Sequence, residues 1–144
     1  MYKRILVPTD GSDISNKAVE VAIGLAKLSG GEMFVVGVKE PFPYSAISEM
    51  QPVPPQEFYD AQERVAGGHV KAALDTAAAA GVRCKGHTVE ALHPWEAIID
   101  HAKTENCDLV VMASHGRRGV AALLLGSETQ KVLTHSTLPV LVVR

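Results

Sequence analysis

Short apolar runs alternate with amphipathic stretches along the whole chain. The runs are rich in β-branched and aliphatic residues, which is typical of strands buried on both faces. The stretches between them repeat apolar residues at helical spacing and end at glycines. We predict strands over residues 5–7, 33–38, 83–89, 109–112 and 140–143. We predict helices over residues 15–28, 56–80 and 127–135, and a further helix that begins at His93-Pro94.

The strict alternation of strand and helix predicts a fold class, an α/β fold with an open parallel sheet and helices on both faces. A closed barrel would need eight such units and about 250 residues. In open sheets, ligands bind beyond the carboxyl ends of the strands, where the strand order reverses. The candidate loops are therefore those after the first, second and fourth strands, over residues 8–12, 38–41 and 113–127.

Composition narrows the class of protein. With 144 residues, 47% hydrophobic and 21% charged, the chain has the length and make-up of a single globular domain over 1–144. A proline-rich loop interrupts it at about 41–55. The net charge of −2 gives no sign of a nucleic-acid or membrane surface. The first apolar run is too short for a signal peptide, and no run is long enough to span a membrane, so we expect a cytoplasmic protein.

Cysteines and histidines provide no obvious metal or catalytic motif. Cys84 and Cys107 lack CxxC spacing, and we interpret them as buried free thiols. His115 has no paired carboxylate or cysteine nearby in sequence, so packing or a backbone contact near a ligand is the better interpretation. We expect no protein metal centre and no catalytic residue.

The loop after the fourth strand, ASHGRRGVAALLLGS, carries the strongest chemical signal. It places glycines, arginines and a hydroxyl where a strand leads into a helix, and a helix N-terminus favours anions such as phosphate. Arg117 and Arg118 could bind phosphate through their guanidinium groups, or they could be solvated loop residues. Leu123, Leu124 and Leu125 are most simply an apolar anchor for the loop.

Two further polar residues each allow two interpretations. Asp10 could accept hydrogen bonds from a nucleoside, or it could support the turn and the helix that follows. Ser127 begins an S-x-x-Q sequence with Gln130, which predicts a capping box. A cap hydroxyl can also bind phosphate, so the structural role and the binding role of Ser127 remain compatible.

Five sequence blocks give the chain a resemblance to the universal stress protein family over essentially its whole length. The blocks occur in the family's order with the family's gaps: RILVPTDGS, VGVKEP, LVVMASHGRRG, LLLGSETQKVL and LPVLVV. The resemblance implies a five-stranded parallel sheet in the order 3-2-1-4-5, of the adenine nucleotide alpha hydrolase-like type. It also implies a homodimer.

The resemblance also implies a nucleotide site that takes ATP, ADP or AMP, with or without Mg²⁺. Members that bind ATP carry G-x2-G-x9-G-[ST], which falls here on Ala113, Gly116, Gly126 and Ser127. In this assignment the glycines, Ser127 and the nearby backbone hold the phosphates, Thr9 and Asp10 hold the nucleoside, and the Val38 backbone contacts the adenine. The remaining site positions implied are Pro8, Met112, His115, Arg117, Glu128 and Thr129.

The chain departs from the family pattern at two positions. Ala113 replaces the first glycine, and a methyl group there would cost on the order of 1 kcal/mol if that backbone needed positive φ. Glu128 follows the G-S pair, where a small apolar residue is common. Its carboxylate would repel polyphosphate unless it points away or shares a divalent cation.

Three functions fit these observations. The first is a stress-response regulator that binds an adenine nucleotide. The second is a dimeric interaction protein without nucleotide, which uses the proline-rich loop or the last strand as its contact surface. The third is a slow ATPase, although the motif lacks a Walker lysine and a nearby general base. A bare edge at residues 140–143 would be prone to aggregation, which favours a homodimer that covers it.

Overall fold

Nine helices and strands alternate along the part of the chain that the computed structural model describes, residues 1–42, 55–116 and 125–144. The strands are β1 (Arg4–Pro8), β2 (Glu32–Lys39), β3 (Cys84–Glu90), β4 (Leu109–Ala113) and β5 (Val140–Val143). The helices are α1 (Asp13–Ser29), α2 (Gln56–Ala79), α3 (Pro94–Thr104) and α4 (Ser127–His135). The predicted alternation is confirmed.

The five strands form one parallel sheet in the order β3-β2-β1-β4-β5, as expected. β1 lies at the centre, and its residues Ile5, Leu6 and Val7 are 0% exposed. The chain moves outward from β1 to β2 and β3, and then crosses to β4 and β5 on the other side. The strand order therefore reverses between β1 and β4, which is where open parallel sheets bind their ligands.

Alternate residues of the central strands pack into two cores, one on each face of the sheet. On one face, Val7 and Val35 pack with buried residues of α1 and α2. On the other face, Leu6 and Phe34 pack with Ile98 of α3 and with a buried residue of α4. This arrangement confirms helices on both faces and accounts for the continuous apolar runs in the central strands.

Two glycines let α2 approach the sheet closely. A Cβ atom on Gly37 of β2 would lie 2.9 Å from Cγ2 of Val70, and a Cβ atom on Gly86 of β3 would collide with the same side chain. Val70 is 5% exposed. The packing of α2 thus depends on the absence of side chains at two positions on neighbouring strands.

The cysteines are both free thiols. Cys107 is buried, as predicted, whereas Cys84 is only half-buried because β3 is an edge strand. Burial raises the pKa of Cys84 to about 11 and that of Cys107 to about 12. Burial thus disfavours the reactive thiolate form of both cysteines.

None of the helices within the three described ranges has the length and hydropathy that crossing a membrane requires.

Candidate functional site

The loops after β1 and β4 meet at the carboxyl edge of the sheet. A Cβ atom on Gly116 would lie 3.0 Å from Oδ2 of Asp10, at the limit of what carbon–oxygen packing allows. The carboxylate from one loop therefore rests against the bare backbone of the other. The structure brings together two residues that are far apart in sequence and that were both expected in the site.

Asp10 supports the turn that leads into α1. Its Oδ1 accepts a hydrogen bond of 2.9 Å from the backbone N–H of Ser12. The turn places Gly11 at φ 77°, a left-handed conformation that glycine adopts without strain. The structural interpretation of Asp10 is thus confirmed, and its second carboxylate oxygen is the one that faces Gly116.

His69 of α2 lies directly against Gly11, and a Cβ atom at Gly11 would overlap its imidazole. His69 was not predicted as a site residue, because its position in the middle of a long helix gives no sign that it reaches the loop after β1. Its ring packs against that loop.

Thr9 contributes to the fold through its side chain. It is 7% exposed, and its hydroxyl lies 3.3 Å from the Ser15 hydroxyl at the start of α1. The same oxygen accepts a hydrogen bond of 3.3 Å from the N–H of Gly11. Among the neighbouring positions expected in the site, Pro8 ends β1 and Val38 is a half-buried residue near the carboxyl end of β2.

Met112 and Ala113 end β4, and both are buried. Of the non-glycine residues described, only Tyr2 and Asn106 have positive φ, so alanine at position 113 carries no backbone strain. The Ala113 carbonyl accepts a hydrogen bond of 2.9 Å from the Thr129 hydroxyl, and Thr129 is 2% exposed. This hydrogen bond therefore links the start of α4 to the end of β4.

A backbone hydrogen bond joins the two ends of the glycine-rich loop, since the N–H of Gly126 donates to the Ser114 carbonyl at 2.7 Å. A Cβ atom on Gly126 would lie 3.2 Å from Cα and 3.3 Å from Cβ of His115. Its φ of −71° is open to any residue, so the close approach is what requires glycine. The Ser114 hydroxyl, 3.2 Å from Nδ1 of His115, orients that imidazole.

The capping-box prediction for α4 is wrong by one residue. Gly126 occupies the N-cap position and makes no side-chain cap, so Ser127 becomes the first helical residue and is exposed. Gln130 donates from its side chain to the Leu125 carbonyl instead. The first N–H groups of α4 have no acceptor within the helix and carry the positive end of its dipole, an arrangement suited to an anion.

Glu128 points to another helix. Its Oε2 accepts a hydrogen bond of 2.9 Å from the backbone N–H of Trp95 in the first turn of α3. The N-cap residue of α3, His93, makes no side-chain cap of its own, so Glu128 fills that role. The N-terminus of α3 thus holds this carboxylate, in keeping with the expectation that it repels phosphate unless it points away.

Some predicted features lie outside the described residues. These are Arg117, Arg118, Leu123 and Leu124 of the glycine-rich loop, and residues 43–54 of the proline-rich loop. The flanks of the proline-rich loop are close to each other, since the rings of Phe42 and Phe58 contact edge to face with centroids 4.8 Å apart. Nearby, Lys39 and Glu63 form an ion pair of 2.8 Å that links β2 to α2.

Comparisons with known proteins agree on one family. The family described as the universal stress protein family matches residues 1–144. A universal stress protein from Thermus aquaticus is 35% identical over 144 residues and covers 100% of both chains. The solved hypothetical protein MJ0577 has 29% identity and a TM-score of 0.84, with 99% of this chain and 96% of that chain covered. A solved universal stress protein in complex with cAMP has 28% identity and a TM-score of 0.74, with 99% and 97% covered.

Proposed function

Because this chain belongs to the universal stress protein family, we propose that it binds an adenine nucleotide at the carboxyl ends of β1 and β4. The observation that carries the proposal is the contact of Asp10 with Gly116 beside the N-terminus of α4. This contact brings a carboxylate close to the positive end of a helix dipole. A nucleotide is complementary to the pair, because it joins hydroxyl and amine donors to an anionic phosphate.

Each part of the nucleotide has a matching group among the residues of these loops. The N–H groups of Ser127, Glu128 and Thr129 bind phosphate oxygens, and Gly116 and Gly126 let the phosphates approach the backbone. The second oxygen of Asp10 accepts from the nucleoside, and the Val38 backbone contacts the adenine. The solved relative in complex with cAMP, at 28% identity, supports an adenine ligand. ATP, ADP and AMP, with or without Mg²⁺, are the candidates.

The biological role we propose is that of a nucleotide-dependent stress-response regulator in the cytoplasm, acting as a homodimer. A ligand can regulate such a dimer only if it binds one of two states more tightly than the other. The edge of β5 is the surface through which two chains would pair, since Leu141 on that edge strand is 39% exposed. Burying it would remove an unpaired strand edge from solvent.

A nucleotide carried through purification is the first test. Fresh protein is denatured, and the released small molecules are identified by mass spectrometry. We expect an adenine nucleotide in a ratio near one per chain. Phosphate release from added ATP, measured in the same preparation, addresses the slow ATPase; we expect none above the background of a variant that cannot bind.

Gly126→Val provides that variant. Its side chain would be forced against the backbone of His115, so the first turn of α4 would move away from the phosphates. We expect nucleotide affinity to fall at least tenfold, equivalent to about 1.4 kcal/mol. Gly24→Val is the matched control, because a Cβ atom on Gly24 in α1 meets nothing within 4 Å. Equal affinity in the two variants would place the phosphates elsewhere.

A further inference from the structure

Two histidines and a glutamate meet on the α3 face of the sheet, away from the glycine-rich loop. His87 belongs to the edge strand β3, His101 to α3, and Glu105 follows the last turn of α3. One potential ligand atom of each residue lies within 4.8 Å of those of the other two. His101 and Glu105 are four residues apart and so share one face of the helix. The two imidazole centroids are 5.1 Å apart.

The imidazole of His101 is buried without a complete set of partners. The residue is 8% exposed, and within the described part of the chain its Nε2 has no hydrogen-bond partner. A buried polar atom left unsatisfied is unfavourable by about 1–3 kcal/mol, and native structures contain few of them. This nitrogen therefore indicates an absent partner.

We propose that His87, His101 and Glu105 form a binding site for one divalent transition-metal ion, with Zn²⁺ as the best match. Two imidazoles and one carboxylate are a known set of zinc ligands, and with three protein ligands the fourth position is open to water. Tetrahedral Zn²⁺ requires ligand atoms about 3.4 Å apart, which follows from Zn–N bonds of about 2.05 Å. Exposed His87 and half-buried Glu105 can rotate to close that distance, while His101 is fixed by packing.

The electrostatics of the cluster suit a cation. Burial and the neighbouring His87 lower the pKa of His101, while Glu105 raises it. Glu105 supplies a negative charge. Arg4 pairs with Glu32 at 2.5 Å, and its guanidinium donates two hydrogen bonds, of 2.9 and 2.7 Å, to the backbone carbonyl of Glu105.

The test is a titration of the full chain with ZnCl₂ in competition with a chromophoric chelator, after removal of nucleotide and of any affinity tag. We expect one Zn²⁺ per chain. His87→Ala should weaken binding about 100-fold or more, since losing even an outer-shell partner weakens metal sites 10–100-fold. Exposed His87 is chosen because its loss leaves the core intact. His93→Ala, at the other end of α3, is the matched control and should bind as tightly as the parent chain.

Imidazole NMR signals provide a readout that a change in folding would not imitate. Zn²⁺ should shift the ring signals of His87 and His101 and leave those of His69 and His93 in place. Glu105→Gln should weaken binding while the fold is retained. The proposal is overturned if the parent chain shows no Zn²⁺ binding, or if His87→Ala and Glu105→Gln bind as tightly as His93→Ala. It does not depend on nucleotide binding, so either can fail alone.

Discussion

Glycines 116 and 126 have a steric role, which separates them from the alanine that replaces the first glycine of the family pattern. Each of the two approaches another part of the site so closely that a methyl group would have to displace something. Ala113 ends a strand with ordinary backbone geometry, and its own methyl is accommodated. The positions of the glycine pattern therefore differ in how well they accept a side chain. The departure at position 113 is milder than one at 116 or 126 would be.

Asp10 allows the turn role and the binding role to be separated. Asp10→Asn keeps an oxygen that can accept from Ser12, so stability should be preserved. The loss of the charged acceptor should weaken nucleotide binding by about 1.5–3 kcal/mol, the range for hydrogen bonds to charged groups. Asp10→Ala should lose both stability and affinity. Thermal unfolding and calorimetry measure the two effects, and unchanged affinity in Asp10→Asn would confine Asp10 to the turn.

Glu128 should contribute to stability through α3. Glu128→Ala removes the acceptor for the Trp95 N–H and a negative charge at a helix N-terminus, which together contribute about 1 kcal/mol. For a chain of this length we expect the melting temperature to fall by about 2–4 °C. Glu20→Ala, on the exposed side of α1, is the control with the same change of residue. An equal melting temperature in the two variants would contradict the capping role.

The direction of Glu128 could not be predicted from the sequence, and neither could the cap of α4. A local pattern such as S-x-x-Q specifies a cap only if the helix begins at the residue after the serine. Here the Gly126 N–H donates to the Ser114 carbonyl, and Gly126, one residue before the serine, is the N-cap. Likewise, the partner of Glu128 belongs to a helix more than thirty residues away in the sequence, and the two residues come into contact only in the folded chain.

At the scale of whole elements, the sequence predicted strands and helices well because each has clear boundaries. Residues 127–135 and 140–143 were predicted with the bounds that the structure has, since Gly126 and Pro139 mark where those elements begin. What the sequence could not provide is the distance between elements. Two contacts depend on how closely α2 packs against the sheet. These are the contact of His69 with Gly11 and the packing of Val70 against two glycines.

Because α2 packs closely against the sheet, we expect two glycine-to-alanine substitutions to have opposite effects on the stability of the fold. Gly86→Ala forces a methyl group into Val70 and should destabilise the fold by about 1–3 kcal/mol. Gly68→Ala, in α2 itself, meets nothing within 4 Å and should stabilise the fold by about 0.5–1 kcal/mol through helix propensity. Denaturant unfolding gives both values. A Gly86→Ala variant as stable as the parent chain would show that α2 can shift without loss.

In the folded chain as a whole, the candidate site results from the topology of the sheet. Asp10 and Gly116 are far apart in the chain, and the crossover from one half of the sheet to the other makes their loops neighbours. The rule that ligands bind where strand order reverses was enough to select these loops from the sequence. It could not select the His87, His101 and Glu105 cluster, which depends on α3 packing beside an edge strand.

We predict that two chains pair along the edge of β5. If β5 forms the dimer edge, the parent chain should sediment as two chains at micromolar concentration. Leu141→Asp should sediment as one, because it places a charge on an apolar strand edge. Val65→Asp on α2 is the control, since Val65 is 54% exposed and lies away from that edge. Dimers that persist in Leu141→Asp would place the interface elsewhere.

Calorimetric titration of the nucleotide-free chain with ATP is the decisive test of the proposed nucleotide site. We predict one site per chain for ATP in the presence of Mg²⁺, with affinity lost in Gly126→Val and kept in Gly24→Val. AMP, titrated in the same way, shows how much of the affinity comes from the outer phosphates. An absence of binding heat for ATP, ADP and AMP at several temperatures would contradict a nucleotide site between β1 and β4.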